Sequence, residues 1–417
     1  MRQRSLLILT SVLATGALTL SACGSRSDDD KKSSDGGGNS AGTSSTTVVI
    51  GVDAPLTGAN SATGLGIQYG AQIAVDDANT KKLVPGVTFK IKALDDKAQP
   101  ATGQQNATAL VAESDVIAAV GPLNSGVAQS MQQVFDSAKM VEISPSNTNP
   151  ALTQGKDWAT GTKTRPFKSY FRTATTDANQ GNFAADYAAK TLNKKNAFVV
   201  DDKQTYGAGL AGIFKGKFQS LGGKIAGTDH VNTGDSDFST LVTKIKNSGA
   251  DILYYGGQYD ESELITKQLK AAGVHIPLMG GDGMYSDTYI KTAGAAAEGD
   301  LVTSVGVPVD TLPAAKTFID TYKAKGYPGD YGTYGGYSYD ATTAIINGVK
   351  AVMDANGGKL PSDARAKLID AVQKTDFDGI AGHVSFDEFG DTTNKQLTVY
   401  QVKSGKWVAV KTGEYTG

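Results

Sequence analysis

Cysteine is nearly absent: among 417 residues only Cys23 carries a thiol. No internal disulfide is therefore available to staple the fold. Histidine is almost as scarce. His230, His275 and His383 are far apart, and none has a ligand partner at the i+2 to i+4 spacing of a metal site. No strand-to-helix nucleophile elbow and no second cysteine are present, so neither metal nor nucleophilic chemistry has a foothold. Charge of one sign is also missing, with 40 Lys and Arg against 42 Asp and Glu. No basic patch with interleaved aromatics marks a nucleic-acid surface. Beyond the first 20 residues no apolar run is long enough to cross a bilayer.

The N-terminus is a targeting segment. Arg2 and Arg4 precede an apolar run over 5–20, which ends in Leu20-Ser21-Ala22-Cys23. Small residues before a cysteine at the end of such a run resemble the lipobox of bacterial lipoproteins. That resemblance implies a signal peptide of 1–22, cleavage before Cys23 and a diacylglyceryl group on its sulfur. The alternatives are an ordinary signal peptide with an incidental cysteine, or a short anchor, for which the run is too short to span comfortably. Lipidation disposes of the lone thiol, and two acyl chains hold where one would be marginal. Residues 23–47 follow, rich in Ser, Gly, Asp and Lys, and read as a disordered tether. Such a chain has a root-mean-square span of about 25–30 Å.

From Val48 onward, short β-branched runs alternate with longer Ala-rich runs of helical spacing. Strands are expected at 48–52, 87–94, 116–120 and 140–143, and helices at 66–79, 101–113 and 127–138. This order argues a parallel sheet covered by helices on both faces. The same grammar restarts after an irregular stretch over 153–168. Strands are expected at 197–200, 224–228 and 252–255, and helices at 208–221, 238–247 and 261–272. A third stretch from Leu301 adds helix and ends in strands at 396–402 and 406–410. Two βα units of similar make-up imply two Rossmann-like lobes with a cleft between them. Ligands of such sheets sit at the carboxyl ends of the strands.

Two patterns compete with a simple binding role. Gly207, Gly209 and Gly212 match the dinucleotide fingerprint, with Asp229 near the distance of a ribose-binding acid. Against this, the preceding strand ends near Val200, a long turn intervenes, and an exported protein meets no nicotinamide pool. The plainer role is tight helix entry. The tyrosine-rich run over 331–339 fits either a carbohydrate surface or the wall of an interface or cleft, and the second is favoured.

Several stretches, taken in order, resemble the substrate-binding proteins of branched-chain amino acid ABC transporters. This is the leucine/isoleucine/valine-binding family, with the type I periplasmic-binding fold. They are Pro55-Leu56-Thr57-Gly58, GPLNS at 121–125, ISPSNTNPAL at 143–152, FRTATTDANQG at 171–181, DKQTYGAG at 202–209, DFSTL at 237–241, YYGG at 254–257, Ala271-Ala272-Gly273 and MGGDG at 279–283. The resemblance implies an α/β chain that crosses three times between lobes: 48–176 plus 306–393, and 177–305 plus 394–417. Hinge closure around a ligand is the expected motion.

The family's amino-acid site carries over by position. Ser125, at a helix start, matches the hydroxyl that binds the ligand carboxylate, and a helix N-terminus suits an anion. Ser146, Asn147 and Thr148 match the loop around the same head group. Tyr206 matches a cleft tyrosine, and Asp282 an acid facing the ligand ammonium. Each alone is equally good turn chemistry. The chain also departs from the family. Thr63 stands where an aromatic roof is usual, and Gln258, next to Tyr259, where a tyrosine is. Ala98 and Asn124 stand where two cysteines pair.

The implied function is an extracytoplasmic, membrane-anchored binding protein, a monomer without cofactor or metal. It would hand an amino acid or related small polar molecule to an ABC permease. Ligand sensing for amides, urea or aromatic acids, and an exported enzyme on the same fold, are the alternatives. An enzyme needs a base and a nucleophile within hydrogen-bond reach, and no such pair is legible. The anchor is testable. Cys23→Ser should release the protein or leave it unprocessed, since no other residue can take the thioether. A cleaved, lipid-labelled Cys23→Ser protein on membranes would overturn the lipobox reading.

Overall fold

Burial on both faces explains the near-continuous apolar strands. In β1 (Thr46–Ala54), Val48, Ile50, Val52 and Ala54 enter one core cluster while Val49 enters another on the opposite face. The computed structural model describes residues 45–415. The signal peptide, Cys23 and most of the tether lie outside the described residues. β1 begins at Thr46, inside the span read as tether, because Thr46 donates to the Gly86 carbonyl and pairs with Val87.

The first lobe continues with α1 (Ser61–Lys81), β2 (Val87–Asp95), α2 (Pro100–Ala112), β3 (Val116–Val120), α3 (Ser125–Ser137), β4 (Val141–Ser144), the short α4 (Ala151–Gln154) and β5 (Tyr170–Arg172). Its five strands are parallel, in the order β2-β1-β3-β4-β5. Helices begin a few residues earlier than apolar spacing indicated. The small polar residues of their first turns look locally like loop. In α1, a Cβ on Gly70 would lie 2.2 Å from the Gly335 carbonyl oxygen, so glycine there lets two helices meet backbone to backbone.

The chain then enters the second lobe through α5 (Asp177–Asp186). There follow β6 (Asn196–Asp201), α6 (Thr205–Ser220), β7 (Lys224–His230), α7 (Ser239–Ser248), β8 (Ile252–Gly256), α8 (Tyr259–Ala271), β9 (Leu278–Gly280), α9 (Asp287–Ala293) and β10 (Leu301–Val305). It returns to the first lobe as α10 (Lys316–Lys325), α11 (Tyr334–Asp354) and α12 (Ala364–Gln373), followed by a small hairpin of β11 (Asp376–Asp378) and β12 (His383–Ser385). A last crossing delivers β13 (Gln396–Lys403) and β14 (Lys406–Glu414), both added antiparallel. The second sheet has the order β14-β13-β10-β9-β8-β6-β7.

The tyrosine-rich run divides between two roles. Tyr331 and Tyr339 meet Phe318 edge-on, in a cluster that seats α10 against α1 and α11. Tyr334, at the start of α11, instead packs in the first-lobe core and reaches Asp282 of the second lobe through its hydroxyl.

One buried ion pair joins the crossings to the loops. The fully buried guanidinium of Arg172 donates through Nε to Asp391 Oδ1 at 2.6 Å and through Nη1 to the Asn147 and Asn149 carbonyls at 3.2 and 2.7 Å. Its Nη2 donates to the Thr153 hydroxyl. Asp391 also accepts from Gln154 Nε2 at 2.6 Å. Burial alone would raise the Asp391 carboxyl. The Arg172 charge and these hydrogen bonds prevail and hold it below the usual carboxylate range.

Arg172→Met should destabilise the fold by about 3–5 kcal/mol, read by urea unfolding, because Asp391 is left charged and unpaired. A carboxyl with a depressed folded-state pKa stabilises above its unfolded value, near 4, and that contribution disappears as pH falls through the folded value. Asp391→Asn should therefore lower stability at neutral pH and flatten its decline on the acid side.

Candidate functional site

Loops at the carboxyl ends of the strands from both lobes enclose a cavity of about 610 Å³. The first lobe supplies Thr57 to Asn60 after β1, Gln99 after β2, and Asn124 with Ser125 at the start of α3. The second supplies Asp202, Gln204 and Tyr206 after β6, Thr233 after β7, and Gln258 with Glu261 around the start of α8. Five amide side chains are therefore among its walls. A second cavity, of about 410 Å³, lies between the lobes near β10 and β13. Thr63, Ser304, Thr333, Tyr285, Tyr331 and Tyr400 are among its walls.

The structure thus brings Ser125, Tyr206 and Gln258 together and places Thr63 in the neighbouring cavity. Tyr259, the first residue of α8, is 3% exposed, packs in the second-lobe core and lines neither cavity. Ser146, Asn147 and Thr148 are buried. The Ser146 hydroxyl lies 3.2 Å from both the Pro122 and Leu123 carbonyls, and Asn147 Nδ2 donates to Leu123. The Thr148 hydroxyl has no hydrogen-bond partner.

Asp282 lies behind Tyr206, with all its oxygens inside protein. Its Oδ1 accepts from Tyr206 Oη at 2.7 Å and Gln180 Nε2 at 2.9 Å, and its Oδ2 from Tyr334 Oη at 2.5 Å. Its own N–H donates to Gln180 Oε1 at 2.8 Å. Burial raises this carboxyl, and the three donors counter part of the rise. Asp177, fully buried at the start of α5, is pushed up to about 8 by burial and by the charge of Asp282; its Oδ2 has no partner.

The lobe rims touch through hydrogen bonds. Asn60 donates to Asp260 Oδ2 from its backbone N–H at 3.2 Å and from Nδ2 at 2.5 Å. Asn124 Nδ2 supports Asn60 Oδ1 at 3.0 Å. Asn149 Nδ2 donates to the Thr205 carbonyl at 2.8 Å. A Cβ on Gly209 would sit 2.8 Å from that Asn149 nitrogen, and one on Gly207 would sit 2.4 Å from the Gly256 carbonyl oxygen. These glycines of the dinucleotide-like pattern admit a neighbouring lobe and a neighbouring strand.

Sequence reasoning singled out neither Asn60, Asp260 and Gln180 nor Tyr334 individually. The tyrosine run was the one visible signal, and it did not distinguish Tyr334 from its neighbours. Among the described residues, no group of three His, Cys, Asp or Glu is placed to hold a metal.

With this geometry in view, the family model described as periplasmic binding protein matches residues 47–406. The chain belongs to that family. A Leu/Ile/Val-binding protein homolog 3 of Brucella melitensis is 32% identical, over 87% of this chain and 93% of its own length. Among solved structures, the leucine binding protein LivK of Thermotoga maritima is 28% identical with a TM-score of 0.77, covering 88% of this chain and 98% of its own. The substrate binding protein LivJ of Streptococcus pneumoniae, in complex with isoleucine, has the same identity and TM-score over 88% and 100%.

In this binding protein Asn60→Gly should loosen closure. Glycine keeps the left-handed backbone, at φ 61°, but removes the side-chain donor to Asp260. A hydrogen bond to a charged group contributes about 1.5–3 kcal/mol, so the ligand-free variant should have a larger radius of gyration by small-angle X-ray scattering. An unchanged radius would remove this bond from the closure mechanism.

Proposed function

We propose that the protein captures an amino acid in the interlobe cleft and delivers it to an ABC importer, acting outside the cytoplasm from a lipid anchor on Cys23. Lobe one is 48–176 with 306–393, and lobe two is 177–305 with 394–417. The observation that carries this reading is the pairing of opposite chemistries across one closed cleft. Ser125 lies in the first turn of the 13-residue α3, on the 610 Å³ cavity. The free N–H groups there suit a carboxylate. Across the cleft, Tyr206 leads from the cavity wall to the Asp282 carboxylate. Asp177, whose Oδ2 is buried without a partner, lies in the field of that acid, and the Thr148 hydroxyl lies beside Asp177. The names of the relatives support the amino-acid class, and the amide-rich wall favours a polar side chain over a branched aliphatic one. A buried amide without a partner costs about 1–3 kcal/mol.

The ligand ammonium would take the place of the Tyr334 hydroxyl on Asp282 Oδ2. A zwitterion enclosed between lobes loses water at both ends, so each end needs a partner. Asp282→Ala should lower amino-acid affinity by roughly 30- to 5000-fold, the range given by about 2–5 kcal/mol. It also strands three donors, so Asp282→Asn is the gentler variant and should be intermediate. Calorimetric titration follows a thermal-shift screen over amino acids and amides, with circular dichroism as a check on folding. Unchanged affinity in a folded Asp282→Ala protein would remove Asp282 from the site.

A further inference from the structure

The cleft cavity carries two acids that the amino-acid reading leaves unused. Asp202 and Glu261, both on the second-lobe wall, are each 2% exposed, yet both face the 610 Å³ space. Asp202 Oδ1 accepts from the Gln204 N–H at 2.9 Å, and Glu261 Oε1 from the Gly234 N–H at 2.8 Å. The second oxygen of each has no hydrogen-bond partner, and neither acid is in an ion pair, among the described residues. Loop-capping bonds account for one oxygen of each acid and leave the other oxygen of each unused.

The backbone is shaped to hold the pair. A Cβ on Gly207 would lie 2.3 Å from Asp202 Oδ1, so only glycine leaves room for that carboxyl. Beneath them in β8, the buried Tyr255 hydroxyl also lacks a partner, and it lies in the field of both acids. Burial, with the charge of Glu261 adding to it, pushes Asp202 up to about 7. Burial raises Glu261 as well. The cation on the cavity wall is Lys97, which is exposed and belongs to the opposite lobe. Two carboxyls on one wall of the cavity, each with an oxygen left free and no positive charge on their own side, are a ready counter-charge for a cation that enters the cleft.

We propose that Asp202 and Glu261 form a cation subsite, and that the ligand is an amino acid bearing an ammonium or guanidinium group on its side chain. This rests on the amino-acid reading and adds the side-chain class to it. The α-carboxylate lies at Ser125, the α-ammonium toward Asp282, and the side-chain cation between Asp202 and Glu261. The amides Gln204 and Gln258 line the same wall and complete the solvation of the cation.

The test titrates the full chain with L-lysine, L-arginine, L-leucine and L-norleucine, the last matching lysine in length without its charge. Lysine or arginine should bind about 10- to 100-fold more tightly than norleucine. Glu261→Gln, and separately Asp202→Asn, which keeps an oxygen for the Gln204 N–H, should collapse that ratio to within about threefold. The wild-type comparison needs no variant, so a misfolded substitution leaves the proposal testable. Leucine or norleucine binding as tightly as the cationic amino acids overturns the subsite and leaves the amino-acid reading standing. A ratio unchanged in folded Glu261→Gln and Asp202→Asn does the same. If no amino acid binds but cadaverine does, and Glu261→Gln abolishes it, the amino-acid reading falls and the subsite stands. If neither class binds, both fall.

Discussion

The buried guanidinium of Arg172 sits where three separate pieces of chain meet. Its fork reaches Asp391 in the last interlobe crossing and the carbonyls of Asn147 and Asn149 in the loop after β4, and its own backbone leads into the first crossing. Removing a charge from water is tolerable only when most of its donors find acceptors in good geometry. Arg172 meets that condition, and in doing so it fixes the carbonyls on either side of Thr148. The loop after β4 and two of the segments that pass between the lobes are therefore coupled through one planar group. A lysine at this position would supply the charge without the fork.

Closure places the remaining polarity under the same constraint. The carboxyl ends of the parallel strands in the two sheets face each other, so loops that would otherwise be wet are desolvated between lobes. Some of the exposed groups find each other: Asn60 meets Asp260, Asn149 meets the Thr205 carbonyl, and Tyr334 meets Asp282. Others stay unsatisfied, among them the Thr148 hydroxyl and Asp177 Oδ2. The satisfied bonds hold the lobes together. The unsatisfied groups are where a small polar ligand gains most, since it supplies partners that the protein lacks. The cleft also has a polarity of its own, with the N-terminus of α3 on one lobe and carboxyls on the other.

Much of the fold was legible from residue order. Strand runs such as Val116–Val120 and Ile252–Gly256 are short, apolar and bounded by turn residues. They read as buried strands because burial on both faces removes the need for alternation. Helix starts were less legible: α3 and α6 begin with Ser125 and Thr205, which propensity assigns to turns, and only the closed first turn settles the matter. The candidate loops were legible as a class, since sheets of this kind present their carboxyl ends to ligands. Which residue of each loop reaches the cleft was not. Thr63 and Gln258 are both polar residues where the family has aromatics, yet they line different cavities.

The sequence by itself determined the alternation of strand and helix, hence two sheets of mainly parallel strands, and the class of loops where ligands of such sheets sit. These are set by local composition and periodicity, which a chain carries before it folds. Tertiary structure alone decided the partners. Asn60 and Asp260 are 200 residues apart, Arg172 and Asp391 are 219, and Asp282 and Tyr334 are 52. Such pairs depend on how the chain crosses between lobes and how far the lobes close. No periodic pattern records either, because a single hydrogen bond between distant loops constrains one residue at each end and leaves its neighbours free.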